Sequence, residues 1–224
     1  MSSDPCADVP VTLVALSASY GAGSSVIGPA LAERLGVPFV DRAIPLAVAD
    51  CLDVPYDDAA AHDEHASTGW LERVLSGFVG GDSGAATPLP AETFSSEDFR
   101  RATEQVMLQQ AATGDGVILG RGSVVVLRDD PRALRVRLDG PPKRRVRQAM
   151  SLENLDQEVA ERARDRFDRT HEAYVRQFYD ADLHDCGLYH LVLDSTAIEF
   201  DACVELIARA AESLIPDAAG GAVS

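Results

Sequence analysis

Residues 11–36, VTLVALSASYGAGSSVIGPALAERLG, combine an apolar run, a glycine loop and a helical pattern. Residues 11–16 are apolar and partly β-branched, which is typical of a buried strand. The small residues that follow include Gly21 and Gly23, and apolar residues at helical spacing then continue to Gly36, which ends the predicted helix. A loop between a buried parallel strand and a helix lies at the carboxyl edge of a sheet, where such folds bind ligands.

The glycine loop predicts a phosphate site. Its glycines let backbone N–H groups converge on an anion, and the following helix adds the positive end of its dipole. The Walker A pattern G-x-x-x-x-G-K-[ST] matches in part. With Gly23 as its second glycine, Ala18 stands at the first, Ser24 replaces the lysine and Ser25 keeps the hydroxyl. The alternative is that the glycines only form a tight turn between strand and helix.

Four further short strands are predicted downstream, and the one at residues 134–138 alternates apolar residues with arginine. They cover residues 37–41, 117–119, 134–138 and 189–193. Helices are predicted at residues 97–113, from Pro141-Pro142 onward, at 156–179 and at 199–214. Strands that alternate with helices predict an α/β domain of three layers, with a five-stranded parallel sheet covered on both faces. We expect a single domain over residues 10–216, between a frayed N-terminus at 1–9 and a flexible tail at 217–224.

The segment between the second and third strands carries weaker signals. Residues 42–78 have a helical pattern broken near Pro55, and residues 79–96 are predicted to be a mobile loop because they hold little apolar surface. His62 and His65 lie one helical turn apart and could bind a metal, although a solvated acidic helix explains them better.

Composition excludes several classes of partner. The chain has 224 residues, a formal net charge of −16 and 46% hydrophobic residues. A charge of this sign disfavours nucleic acid polymers and anionic membranes. The charge is uneven, since residues 99–150 carry +6 whereas residues 50–98 and 151–224 each carry −10. Lys143 is the one lysine in the chain, so arginine forks must bind any anion in the basic stretch.

The four cysteines are widely separated and form no C-x-x-C pair, which disfavours a zinc ribbon or a redox dithiol. The N-terminus has no signal-peptide pattern, and no run is long and apolar enough to span a membrane. We therefore expect a cytoplasmic protein.

Several short motifs in sequence order resemble the cytidylate kinase-like family of P-loop proteins. Members often carry a loop of the form S-R-x-Y-G-S-G-G without the ordinary Walker lysine. The matching residues here are Tyr20-Gly21-Ala22-Gly23, Ile27-Gly28, Leu31 to Gly36, Pro38 to Asp41, Gly120-Arg121-Gly122, Pro141, Arg145, Asp168, Tyr174 and Tyr189 to Asp194. The resemblance covers about residues 11–210.

The resemblance implies a nucleoside monophosphate kinase architecture with a helical lid, at about residues 156–185. It implies ATP and Mg²⁺ as cofactors and transfer of the γ-phosphoryl group to CMP or a related nucleoside monophosphate. Residues Tyr20 to Ser25 would cradle the donor phosphates, and the Ser25 hydroxyl would contact Mg²⁺. The alternative for Ser24 and Ser25 is capping of the helix.

Arginines from later in the chain supply the charge that phosphoryl transfer needs. Arg121 resembles the arginine with which cytidylate kinases hold the acceptor phosphate, and a surface ion pair is its alternative role. Arg145 fits a family arginine that faces the nucleotide. Arg166 lies in the predicted lid, where ion pairs along the helix are the alternative role for its arginines. Arg121, Arg145 and Arg166 are predicted to be catalytic. Asp41 and Arg42 are predicted to bind the acceptor, although Asp41 could equally cap a helix.

Three positions depart from the family pattern. Ala18 and His171 stand where relatives carry arginine, and Ser24 cannot supply the Walker lysine charge. Losing a preorganised cation from such a site costs several kcal/mol of barrier unless another arginine substitutes. The alternative function is therefore a catalytically degenerate kinase fold that senses nucleotides or binds a protein. The acidic segment at residues 50–98 would suit a basic protein partner, and a homodimer is a further possibility.

Overall fold

A parallel β-sheet forms the centre of the molecule. The computed structural model describes residues 12–41 and 96–214. The strands within these ranges are β1 Leu13–Ala18, β2 Phe39–Asp41, β3 Gly116–Leu119, β4 Ala133–Asp139 and β5 Leu191–Asp194. Their spatial order is β2-β3-β1-β4-β5, and each neighbouring pair is parallel.

The sheet order brings the functional segments together. β1 and β2 are consecutive in the chain, yet β3 lies between them, so they are parallel without being hydrogen-bonded neighbours. Leu16 of β1 is opposite Leu119 of β3 and Val136 of β4. Because parallel strands end at the same edge, the loops after β1, β3 and β4 lie side by side.

The helices cover the two faces of the sheet. The described ranges contain α1 Ser24–Leu35, α2 Ser96–Thr113, α3 Ser123–Val126, α4 Pro142–Glu153, α5 Gln157–Tyr179 and α6 Phe200–Glu212, together with a 3-10 turn at Cys186–Leu188. Arg-rich α4 begins with proline at its N-terminus, where the missing N–H has no helical partner to lose. The short α3 and the 3-10 turn are not predicted from the sequence, because a single turn contains too few residues to show a helical period.

Alternate residues of β1 face two separate cores. Val14 and Leu16 pack with the apolar faces of α1 and α6. Leu13 and Ala15 pack on the other side with residues of α2, α3 and α5, including the fully buried Tyr174. All six residues of β1 are buried, which explains why its sequence is a continuous apolar run rather than an alternating one.

The predicted fold class is confirmed: the sheet, its parallel order and the two helical layers are all present. No helix in the described part of the chain is long and apolar enough to cross a membrane. The predictions for the N-terminus at 1–9, residues 42–78, the loop at 79–96 except its last residue, and the tail at 217–224 lie outside the described residues. Ser96, predicted to end that loop, begins α2.

Candidate functional site

The loop after β1 has the backbone shape that its glycines allow. Gly21 and Gly23 have φ values of 73° and 76°, in the left-handed region that L side chains rarely adopt. Gly23 is the N-cap residue of α1, so the position before the helix is held by a glycine rather than by a serine. The hydroxyls of Ser24 and Ser25 bond to no described residue, so the predicted alternative of a side-chain cap is not found.

Every carbonyl oxygen from Ser19 to Gly23 accepts a hydrogen bond. Those of Ser19 and Gly23 are bonded by backbone N–H groups of the loop and of the first turn of α1. The other three accept from distant side chains, Tyr20 O from Arg145 Nη1 at 2.8 Å, Gly21 O from Gln148 Nε2 at 3.0 Å and Ala22 O from Ser195 Oγ at 2.7 Å. No carbonyl oxygen of these five residues is therefore left without a donor.

The backbone donors of the same loop are mostly open. Within the described ranges, the N–H groups of Gly21, Gly23, Ser24 and Ser25 have no acceptor. Four unpaired donors stand at the start of a helix of 12 residues, whose dipole adds positive potential. The arrangement suits an oxyanion with several oxygens, such as a phosphate.

Close packing fixes the loop in this shape. A Cβ atom on Gly21 would overlap the backbone carbonyl of Arg145, and a Cβ atom on Gly23 would lie 2.5 Å from the ring of Phe200. Helix α4 thus lies against the loop on the side of its carbonyl groups. The Tyr20 hydroxyl donates to Glu153 at 2.7 Å, and burial together with this carboxylate raises the pKa of Tyr20.

Two arginines beside the loop are already paired with carboxylates. Arg145 contacts Asp168 at 2.9 Å and Asp139 at 3.4 Å, and Arg137 contacts Asp139 at 3.0 Å. Burial opposes ionisation of Asp139, but the Gly140 N–H and Arg137 outweigh it and lower the pKa of this carboxyl. We call these four side chains the paired-charge cluster. It is balanced, so the loop gains structure from it rather than excess positive charge.

His171 lies on the buried face of α5 beside this cluster. Its ring is 5.7 Å from that of Phe167. Burial, with a smaller contribution from the positive charge of Arg137, lowers the pKa of His171 to about 4. The imidazole is therefore neutral at pH 7 and does not replace the arginine that relatives carry at this position.

A cavity of about 400 Å³ opens beside the glycine loop. Gln148, Ser195 and Phe200 belong both to its wall and to the contacts of the loop. The remaining wall is formed by Arg144, Arg147, Ser151, Leu152, Thr196, Ala197, Ile198 and Glu199. The cavity combines apolar side chains, hydroxyls and two guanidinium groups, so it can accept a ring with polar edges next to a phosphate.

A second glycine turn follows β3. Gly120, Arg121 and Gly122 have φ values of 77°, 51° and 70°. The Gly120 N–H donates to Leu16 O of β1 at 2.9 Å, which fixes this turn beside the first one. Arg121 is only 1% exposed, so its side chain does not lie on the surface, where the alternative role would place it. Arg121 follows β3 at the carboxyl edge of the sheet, and a guanidinium is a group suited to bidentate recognition of an anion.

The other predicted site residues are placed as follows. Asp41 ends β2 opposite Leu119, and its backbone alone is described. Arg42, His62 and His65 lie outside the described residues. Arg166 is half-buried on α5, and its catalytic role stays a prediction. No group of three potential metal ligands occurs within the described residues.

Sequence reasoning predicted Arg145 but missed the other two side chains that bind the loop carbonyls. Gln148 and Ser195 carry no motif, and they are 127 and 173 residues from their partners in the loop. Arg137 carried a signal, since an arginine inside an apolar strand pattern must find buried partners. It donates to Ser19 Oγ at 3.1 Å and to Leu183 O at 2.8 Å.

Comparison with protein-family models then decides the assignment, because the model of the cytidylate kinase-like family matches residues 13–197. The chain belongs to this family. The match includes both glycine turns, α4, α5 and the start of the loop after β5. The resemblance inferred from the short motifs is thus confirmed. A search of curated proteins finds no match.

Solved structures are similar to this family member at low sequence identity. An uncharacterized protein from Eubacterium ventriosum ATCC 27560 is 16% identical, with a TM-score of 0.61 over 90% of this chain and 98% of that one. A shikimate kinase from Bacteroides thetaiotaomicron is 15% identical, with a TM-score of 0.47 over 90% and 98% of the two chains. A gluconokinase from Sinorhizobium meliloti 1021 is 16% identical, with a TM-score of 0.47 over 92% and 96%. These matches concern the fold alone.

Proposed function

We propose that this protein is a phosphotransferase that binds ATP with Mg²⁺ at the glycine loop and transfers the γ-phosphoryl group to CMP or a related nucleoside monophosphate. One observation carries the proposal. Every carbonyl oxygen from Ser19 to Gly23 is occupied, whereas four amide groups of the loop and the first turn of α1 are open within the described residues. Such a loop presents N–H donors to an oxyanion and no unoccupied carbonyl oxygen to a cation.

The donor nucleotide would extend from the loop into the neighbouring cavity. Its phosphates would take the open amides, and its base and ribose would occupy the space of about 400 Å³ between α4 and the segment after β5. Leu152, Ile198 and Phe200 offer apolar surface to a base. Arg147 is exposed at the same wall, where a guanidinium can stack on a ring or reach a phosphate oxygen.

Ser25 fits the magnesium role that the sequence suggests. Its hydroxyl is exposed in the first turn of α1 and bonds to no described residue. Mg²⁺ commonly uses few protein ligands because substrate phosphates and waters complete its shell, so one hydroxyl is a sufficient protein contribution. When bound, the ion would neutralise charge on the transferred phosphoryl group.

The acceptor would lie at the second glycine turn. Arg121 would hold the phosphate of the acceptor. Asp41 and Arg42 would contact the remaining part of the acceptor, because β2 and β3 end at the same edge of the sheet. Arg166 is proposed as the lid arginine at the transferred group. Arg145 now bonds Tyr20 O and Asp168, which supports a role in holding the loop; direct contact with phosphate would require it to exchange one of these partners.

A coupled assay of ADP release tests the proposal. Purified protein is incubated with ATP, Mg²⁺ and each common nucleoside monophosphate, and Arg121→Lys serves as the paired variant. We expect turnover with at least one pyrimidine monophosphate and a loss of at least tenfold in kcat/KM for that acceptor in the variant, since lysine cannot form the bidentate contact. Background rates with every acceptor contradict the enzymatic function.

A second candidate is a nucleotide-binding module without turnover. It is favoured by the charge arrangement, since Arg137 and Arg145 are balanced by Asp139 and Asp168, and Arg144 is paired with Asp194. Ser24 adds no cation at the lysine position of the Walker pattern. Calorimetry that detects ATP binding together with an inactive coupled assay selects this candidate, whereas turnover excludes it.

A further inference from the structure

Asp168 of α5 contacts the glycine loop in two ways. Its Oδ1 accepts the Tyr20 N–H at 3.0 Å, and its Oδ2 accepts Nη1 of Arg145 at 2.9 Å. The same Nη1 donates to Tyr20 O at 2.8 Å. The carboxylate and the guanidinium therefore bind the two backbone polar groups of a single residue, one directly and one through the ion pair.

The backbone orientation of Tyr20 determines the direction of an open donor. The next amide along the chain is that of Gly21, one of the four open donors. Fixing the N–H and the C=O of Tyr20 fixes the two peptide planes that flank it, and the second of these planes carries the Gly21 N–H. A rotation of that plane would turn a carbonyl oxygen toward the anion and a donor away from it.

The contact also joins distant elements. Asp168 is 148 residues from Tyr20 in the chain, and Arg145 is 125 residues from it. The side chain of Arg145 is 8% exposed and that of Asp168 is 21% exposed, so solvent competes little with the pair. The position of α5 and the shape of the loop are thereby coupled through one carboxylate.

We propose that Asp168 is a positioning residue that holds the glycine loop in its phosphate-binding conformation and couples it to helix α5. The inference rests on the proposed function, because it assumes that the open amides receive the phosphates of a nucleotide. It goes beyond that function by assigning the preorganisation of the loop to a residue that does not itself touch the ligand.

Two substitutions separate the two contacts of Asp168. Asp168→Ala removes both, whereas Asp168→Asn keeps an oxygen for the Tyr20 N–H and loses the ion pair with Arg145. Asp165→Asn is the matched control, since Asp165 lies one turn away on the same helix, is exposed and pairs with its neighbour Arg164. Dissociation constants for ATP with Mg²⁺ and for inorganic triphosphate are measured by calorimetry, at a temperature where each variant is folded.

We expect a graded loss of affinity for the two probes. Asp168→Ala weakens binding of both probes about tenfold, Asp168→Asn about threefold, and Asp165→Asn by less than twofold, as loss of charge-assisted hydrogen bonds predicts. If the protein turns over, the KM for ATP rises in the same order while the KM for the acceptor stays within twofold. A residue that only stabilises the fold would lower the melting temperature and leave these constants unchanged.

The outcomes separate the two proposals. If the wild-type protein binds neither probe, the proposed function fails. If the wild-type protein binds and both Asp168 variants bind equally well, the positioning role fails and the proposed function stands. If Asp168→Ala does not fold, Asp168→Asn decides the question, with threefold weakening supporting the role and unchanged affinity overturning it.

Discussion

The two glycine turns at the carboxyl edge of the sheet have the same backbone conformation but contain different polar groups. Each contains two glycines with φ values between 70° and 77°, and in each the second glycine is the N-cap of a helix. The turn after β1 precedes a helix of 12 residues, and the turn after β3 precedes one of four residues. The first turn has open amide N–H groups, whereas the second has the buried Arg121 between its two glycines.

Under the proposed function, one turn geometry would serve two kinds of anion recognition. A long helix supplies a dipole and aligned N–H groups, so the first turn needs no charged side chain of its own. The second turn has little helix behind it, and the Ser123 N–H already bonds Gly120 O at 2.9 Å. Under the proposed function, the second turn would therefore bind an anion through the guanidinium of Arg121. We expect the donor phosphates at the first turn and the acceptor phosphate at the second.

The largest effect should come from Gly21→Ala in the first turn. The new Cβ meets the Arg145 backbone, which cannot move without shifting α4, and alanine is also strained at this φ. We expect loss of ATP binding and about 3 kcal/mol less stability, measured by calorimetry and urea unfolding.

Gly36→Ala is the control for backbone strain. Gly36 has a φ of 69°, and a Cβ atom added there would have no neighbour within 4 Å, so it shares the strain and lacks the clash. We expect about 1 kcal/mol less stability and normal ATP binding. Equal loss of binding in both variants would show that strain alone, rather than contact with α4, shapes the site.

Gly122→Ala tests the second turn. The added Cβ would lie 2.6 Å from the ring of Tyr179, a side chain that can shift more readily than backbone. We expect about 2 kcal/mol less stability, a higher KM for the acceptor and an unchanged dissociation constant for ATP, measured by urea unfolding, steady-state kinetics and calorimetry. Weaker ATP binding in this variant would remove the division of roles between the turns.

The pH dependence of stability tests whether the buried His171 beside Arg137 is neutral in the folded protein. Its pKa is about 4 in the folded protein and near 6.5 when unfolded, so the unfolded state binds the proton more readily between these values. Stability must therefore fall as pH drops from 6.5 toward 4. Between pH 7 and pH 5 the contribution of His171 is about 2 kcal/mol.

The measurement compares urea unfolding of the wild-type protein and His171→Phe at the two pH values. Phenylalanine keeps a buried ring and has no titrating group, so other titrating groups act alike in both proteins. We expect the wild-type protein to lose about 2 kcal/mol more than the variant on acidification. An equal loss would mean that the folded structure accepts the imidazolium beside Arg137.

The smallest effect should come from Ser25→Ala. The hydroxyl is exposed and bonds to no described residue, so stability should not change. If it contacts Mg²⁺ on the donor, ATP binding with Mg²⁺ weakens about fivefold and ATP binding in EDTA does not change. Ser24→Ala is the paired control. An equal loss of affinity for ATP with Mg²⁺ in this variant would contradict a specific role of the Ser25 hydroxyl.

Much of the fold could be predicted because its signals are local. Each of these signals depends only on residues that are near one another in the sequence. They are the apolar run of β1, the glycines of both turns and the long helical pattern of α5. The place of β3 between β1 and β2 had no such signal, since strand order depends on how helices cover the sheet. The buried state of Arg121 likewise depends on surroundings that no local pattern reveals.

The sequence by itself determined where the turns are, because only glycine adopts a left-handed φ without strain at Gly21 and Gly23 and a buried strand must precede them. The tertiary structure alone decided what the first turn can bind. Arg145, Gln148 and Ser195 reach its carbonyl oxygens from 125 to 173 residues away. These contacts depend on the order of the strands and on the packing of α4. They leave the loop with open N–H donors and with no unoccupied carbonyl oxygen.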